Sequence, residues 1–368
     1  MTVYLLAGGG TAGHVNPLLA TADRLRDRDP GATVLVLGTA EGLEVRLVPE
    51  RGYELLTIPR TPFPRRPNAD LIRFPGRWRA TIAAARHHIR DRGVDVVVGF
   101  GGYASAPAYR AARREGVGIA LHEANARPGL ANRLGARLTR FVGVTFASTR
   151  LPHGRVVGFP LRREIETLDR AAQRSAAAQQ FGLDPALPTL LVTGGSSGAR
   201  RINDTVSASA RVIVDAGWQV LHLSGGLRDA IEDPGIPGYH IVDYTDRMDL
   251  AFAASDLAVS RAGSATVSEL AAVGLPAVFI PYPVGNGEQV FNAKDALDAG
   301  GAVLVRDAAF TPAWVAHELV PLLRDPARVA GLAARIASVG HRDGSDRMVD
   351  LVFEARDAAR SAPSRTDG

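Results

Sequence analysis

The sequence predicts an α/β fold of two consecutive doubly wound domains, and three observations carry that prediction. Short apolar runs rich in β-branched residues alternate with longer alanine-rich stretches of helical period. The alternation stops at VVGFPLR, residues 156–162, and then begins again. Four glycine-rich loops follow such runs directly, where doubly wound sheets bind their ligands.

In order, VYLLA, TVLVLG, VDVVVGF, GIALHE and RFVGVTF read as strands of the first half. LPTLLVTGG, WQVLHLSGG, YHIVDY, DLAVSR and AVFIP read as strands of the second. Each is close to continuous in apolar residues, the pattern of a parallel strand covered on both faces. The restart places the junction near Gly158–Arg162. The expected domains are residues 1–160 and 161–340, with a helix over 341–358 rejoining the first. The polar tail after Ser361 is expected to be disordered.

Composition narrows the chemistry. The absence of cysteine excludes disulfides, thiolate nucleophiles and cysteine-ligated metals together. Lys294 is the only lysine and lies in none of the glycine loops, which excludes a Walker-type triphosphatase. The formal charge of +5 is mild and almost wholly due to arginine, whose planar fork suits phosphate, although a biased genome produces the same skew. No signal-peptide pattern opens the chain, and no segment approaches the ~20 apolar residues needed to span a bilayer. The expectation is a cytoplasmic protein whose membrane contact, where it has any, is peripheral.

The first loop, GGGTAGHVNP, matches a dinucleotide loop through Gly8, Gly10 and Gly13, but the acid such a loop requires at the end of the second strand is missing, since Glu41 lies several residues beyond it. What survives is an anion loop opening a helix, with His14 added. The second loop, GFGGYASAPA, brings Tyr103 and Ser105 to the same sheet edge. The third, GGSSGAR, spells a nucleophile elbow through Gly194, Ser196 and Gly198, so a serine hydrolase completed by Asp243 or Asp256 and by His341 is a rival reading. The fourth, SRAGSATVSEL, sets Glu269 in the helix after a strand, and Glu288-Gln289 follow the next strand. A carboxylate and an amide there suit vicinal sugar hydroxyls.

Together GGGTAGHVNP, GFGGYASAPA, HEANARPGLANR, VVGFPLR, GGSSGAR and SRAGSATVSEL…GLP…GNGEQVFNA resemble, in order and spacing, the MurG family of N-acetylglucosaminyltransferases from Leu5 to about Gly340. The resemblance implies a GT-B fold, two Rossmann-like domains with a cleft between them. It implies inverting transfer of N-acetylglucosamine from UDP-N-acetylglucosamine to the C4 hydroxyl of N-acetylmuramoyl-pentapeptide on undecaprenyl diphosphate. His14 would be the base or a diphosphate ligand, with Glu123 the competing base. Donor contacts would come from Thr11, Gly13, Asn125, Arg162, Ser196, Tyr244, Thr245, Glu269 and Gln289. Gly9, Gly10, Thr11, Gly102 and Tyr103 would hold the acceptor diphosphate.

The chain departs from the family pattern at Ser197 and Glu288, where glutamine is usual, and at Phe159, where asparagine is frequent. The resemblance implies no required cofactor, since the nucleotide sugar is a substrate. No metal ligands are indicated, and a loosely bound magnesium ion stays open. Implied partners are the lipid acceptor, an anionic membrane surface and cell-wall synthesis or division proteins, not nucleic acid. The implied location is the cytoplasmic face of the cell membrane. Residues 60–92 hold nine arginines and two acids interleaved with aromatics, so Ile72, Phe74 and Trp78 are the expected membrane-entering residues.

Overall fold

The computed structural model describes the chain except residues 65–68, 196–197, 227–230, 232, 285–286 and 362–368, with the backbone alone at 12, 69 and 70. It divides into two compact units, residues 1–162 with 343–368 and residues 163–342. The tail after Ser361, read as disordered, lies outside the described residues.

The first unit is built on seven strands: β1 (Val3–Ala7), β2 (Thr33–Gly38), β3 (Glu54–Thr57), β4 (Val96–Gly99), β5 (Gly118–Glu123), β6 (Phe141–Val144) and β7 (Gly154–Val156). All pair in parallel, in the order β3-β2-β1-β4-β5-β6-β7. The second unit carries β8 (Thr189–Thr193), β9 (Gln219–Leu223), β10 (Tyr239–Val242), β11 (Leu257–Ser260), β12 (Ala277–Phe279) and β13 (Ala302–Leu304), again parallel, in the order β10-β9-β8-β11-β12-β13. Each order reverses once, between β1 and β4 and between β8 and β11. These are the two Rossmann-like sheets expected from the sequence.

Side chains alternate across the first sheet, so each face builds its own core. Leu5, Leu35, Val97, Leu121 and Val142 pack under the helices Ala69–Asp91 and Gly102–Glu115. Tyr4, Leu6, Val36, Val98 and Ala120 face the helix Ala12–Arg28 and the C-terminal helix Gly344–Arg360, which contributes Met348, Val349, Leu351, Val352 and Ala355. Its return explains the joint: Ser345 Oγ donates to Leu161 O, and a side chain at Gly344 would collide with Phe159 O.

Three strands escaped the sequence reading: β3, β7 and β13. All are edge strands of three or four residues. An edge strand lacks a neighbour on one side and needs no long apolar run; all three residues of β7 are exposed.

If the C-terminal helix completes the first core, Leu351→Ala should cost about 2–5 kcal/mol, the range for emptying a buried leucine site. Urea unfolding followed by far-UV circular dichroism measures this; a loss under 1 kcal/mol would mean the helix is only loosely docked.

Candidate active site

In the first unit the loops after β1 and β4 meet at the reversal of strand order. Gly102 (φ 78°) lies so close to the first loop that a Cβ there would stand 2.5 Å from Gly9 O, and a Cβ on Gly101 (φ 90°) would press on the His14 ring at 3.0 Å. Only glycine tolerates both the dihedral and the approach. Thr11 is the N-cap of the helix Ala12–Arg28, yet its hydroxyl bonds His14 Nδ1 at 3.1 Å instead of capping. When Nδ1 donates in that bond, Nε2 keeps its lone pair, as a base requires. Burial holds the His14 pKa below the ordinary histidine value, opposed by a hydrogen bond with the Gly9 backbone and by the charge of Glu44. Burial thus favours the neutral ring.

Glu44 was not singled out in the sequence, and it alters the reading of this loop. Its buried carboxylate accepts from Gly10 N (2.8 Å), Thr39 N (3.0 Å) and Thr39 Oγ1 (3.0 Å). The Gly10 N–H, expected on the acceptor diphosphate, is thus already committed inside the protein. Glycines at 38 and 42 on both sides of TAE were the available signal.

Glu123 also needs correction as a base. It is 3% exposed, and its two oxygens accept from Asn125 N (2.9 Å), Gly129 N (3.0 Å) and Asn132 Nδ2 (3.0 Å). Burial raises its pKa against those hydrogen bonds. A carboxylate so enclosed shapes the loop carrying half-exposed Asn125. Next to it His122 is buried and pushed down to about 4 by desolvation, its Nε2 2.9 Å from Gly158 O. Phe159 is buried edge-on to His122, with ring centroids 6.1 Å apart, so it serves the core and not a ligand.

Tyr103 is exposed at the loop rim, with the Arg60 guanidinium 4.6 Å above its ring. Of the remaining arginines in 60–92, Arg86 and Arg90 pair with Glu115, and Arg92 with Glu54; Arg65 and Arg66 lie outside the described residues. Phe63, Phe74 and Trp78 form one ring cluster with centroids 5.1–5.7 Å apart, and Trp78 packs on the core. Phe74 and Trp78 are both half-buried, and their rings gain from packing on one another and on Phe63. Ile72 remains 84% exposed, with Leu71 at 52%.

In the second unit, β8 runs into the third loop, where Gly198 N donates to Gly195 O at 2.9 Å. Ser196 and Ser197 lie outside the described residues. The hydrolase reading fails on topology. Asp256 binds Thr189 N (2.8 Å) and Arg174 at the start of β8, the sheet edge opposite the loop. His341 follows Gly340, whose backbone sits against Ala271 near the far end of the helix Ser264–Val273. That helix starts at Gly263 with no side-chain cap and no acid in its first turn, and it carries Glu269 half-exposed. Gln289 Oε1 accepts from Ala262 N (3.2 Å) and Tyr282 N (2.9 Å), which ties the loops after β11 and β12 together. Only its amide nitrogen is left to donate to a sugar. Tyr244 is exposed beyond β10, Thr245 Oγ1 accepts from Arg247 N (3.0 Å), and Arg162 is half-buried at the end of the first unit's leading segment.

The N-terminal domain of glycosyltransferase family 28 matches residues 4–144, and the C-terminal domain of that family matches residues 189–348. The UDP-N-acetylglucosamine--N-acetylmuramyl-(pentapeptide) pyrophosphoryl-undecaprenol N-acetylglucosamine transferase of Leifsonia xyli subsp. xyli is 65% identical, over 98% of this chain and 100% of that one. The chain belongs to the MurG family. The relative of that description in Streptomyces coelicolor is 52% identical over 95% of this chain and 97% of its own. The crystal structure of MurG from Acinetobacter baumannii superimposes with a TM-score of 0.80 at 26% identity, over 96% of this chain and all of that one. Within the family, the hydrolase alternative has no support.

Because Gly102 nests on Gly9, Gly102→Ala should strain both loops. A left-handed residue with a side chain costs about 1–2 kcal/mol before any clash. The thermal midpoint is expected to fall and His14-dependent turnover with it; unchanged melting and turnover would mean the loops are not in contact.

Proposed function

We propose that this chain transfers N-acetylglucosamine from UDP-N-acetylglucosamine to the C4 hydroxyl of N-acetylmuramoyl-pentapeptide carried on undecaprenyl diphosphate, inverting the anomeric carbon. The full-length likeness to relatives of that activity carries the reading. The four glycine loops at the two strand-order reversals support it, since doubly wound sheets bind ligands there.

His14 takes the proton of the C4 hydroxyl as that oxygen bonds to the anomeric carbon. The bond from that carbon to the diphosphate oxygen breaks, and UDP leaves with the electron pair. Neutral His14 suits this role, and Thr11 fixes its ring. On the donor side, Glu269 holds the ribose hydroxyls, Tyr244 and Thr245 the uracil, and the amide nitrogen of Gln289 the sugar, with Asn125 and Arg162 as further donor contacts. The uncapped start of the helix Ser264–Val273 and the loop around Ser196 offer N–H groups to the departing diphosphate. Thr11, Gly13, Gly9, Gly102 and Tyr103 line the acceptor's loop edge. No resident cofactor enters this reading.

Radiolabelled transfer to a lipid I analogue tests the assignment. His14→Ala should lower kcat by ~10²–10⁴ with donor affinity nearly unchanged. Because burial lowers the His14 pKa, wild-type kcat/KM should hold through neutral pH and fall only below the ordinary histidine range, as the ring gains its proton. The variant should lack that acid limb. A change confined to acceptor KM would make His14 a diphosphate ligand.

We also assign the first unit a peripheral contact with the anionic cytoplasmic leaflet. No helix among the described residues is long and apolar enough to cross a membrane. Leu71 and Ile72 stand exposed beside exposed Arg73, Arg77 and Arg79, a combination of apolar insertion and about 1 kcal/mol per basic residue. Leu71→Ser with Ile72→Ser should reduce sedimentation with anionic vesicles while leaving transfer to a water-soluble acceptor intact. Equal sedimentation would place the contact elsewhere.

A further inference from the structure

We propose that Glu44 is a positioning residue for the transfer, fixing the first glycine loop and through it His14. The inference rests on the reading of His14 as the base, and its geometry is independent of that reading. Glu44 is 1% exposed. Its carboxylate gathers the amide of Gly10 from one loop and the amide and hydroxyl of Thr39 from another. The surrounding chain is shaped to admit it: a Cβ on Gly9, Gly38 or Gly42 would lie 2.3, 2.7 or 1.9 Å from Glu44 atoms. Gly9 is in turn pressed against Gly102, whose neighbour Gly101 lies against the His14 ring. One carboxylate thus braces the loop that carries the base.

A mere loop staple would need only hydrogen-bond acceptors, and ionising a carboxylate in a buried site is costly. The ionised form is held by the three donors, which bring the Glu44 pKa below the ordinary carboxylate value despite burial. Its charge also acts on His14, favouring the protonated ring that the transfer creates. The other charged or titratable groups of the elements around His14 are Tyr103 on the second loop, the rim pair Arg60–Glu41, and, on β5, His122 and Glu123, the last reached through Asn132. The Glu44 carboxylate is the one bonded to His14's own loop.

Glu44→Gln tests this, because the variant keeps the shape, removes the charge and turns an NH₂ toward a backbone N–H. Three quantities are read on the folded full chain: the His14 titration by ring ¹H–¹³C NMR, kcat for transfer, and donor affinity by calorimetry. The expected result is a His14 titration moved to lower pH and a kcat reduced tenfold or more, with donor affinity unchanged. Gly42→Ala supplies a second test should the first variant unfold, since its Cβ displaces the carboxylate while keeping the charge. It too should cost kcat without touching donor affinity. An unmoved His14 titration with wild-type kcat in either variant overturns the proposal. A shifted His14 titration with an unmoved acid limb of kcat/KM supports the grip of Glu44 on His14 and removes His14 as the base.

Discussion

The contact on which the first unit's chemistry depends is backbone against backbone: Gly102 laid on Gly9 where β1 and β4 part. Strand order reverses there, so the helices that follow the two strands leave on opposite faces and a crevice opens at the strand ends. Two loops can approach that closely only without a side chain at the contact, since a Cβ on Gly102 would stand 2.5 Å from Gly9 O. His14 stands one turn into the helix that begins at this contact. Its ring is held between Thr11 and Gly101.

The second unit solves the same problem with different fillings. Its reversal lies between β8 and β11, and its loops are tied by an amide instead of a carboxylate: Gln289 Oε1 spans Ala262 N and Tyr282 N. Nearby, Arg261 joins Ile280 O (3.0 Å) and Asp307 (2.6 Å). In the proposed transfer a neutral amide is the better brace where the diphosphate leaves, and a carboxylate brace helps where the imidazole gains its proton.

Most of the fold was legible because buried parallel strands announce themselves by continuous apolar runs; β3, β7 and β13 were not, because edge strands need only one neighbour. The loops were legible for the same reason glycine is needed in them. What the sequence hid was commitment. Glu123 reads as a base beside a histidine until three donors are found on its oxygens, and Gln289 reads as a sugar contact until its carbonyl is found between two amides. Glu44 reads as one of many surface acids, since nothing in TAEGLE tells which of its two glutamates turns inward. Long-range partners decide such residues, and linear spacing does not carry them.

Residues 60–92 show the same limit in charge. Nine arginines among aromatics suggest one amphipathic surface, yet the described ones divide by partner: Arg86 and Arg90 serve Glu115, Arg92 serves Glu54, and Arg60 lies on Tyr103. The aromatics have partners too, since the half-buried rings of Phe63, Phe74 and Trp78 pack on one another. Facing outward is a short apolar step, Leu71 and Ile72, near the start of the helix Ala69–Asp91, with exposed Arg73 and Arg79 following it. In the proposed membrane contact Leu71 and Ile72 enter the lipid interface, while the mutual packing of Phe63, Phe74 and Trp78 ties that helix to the segment before it.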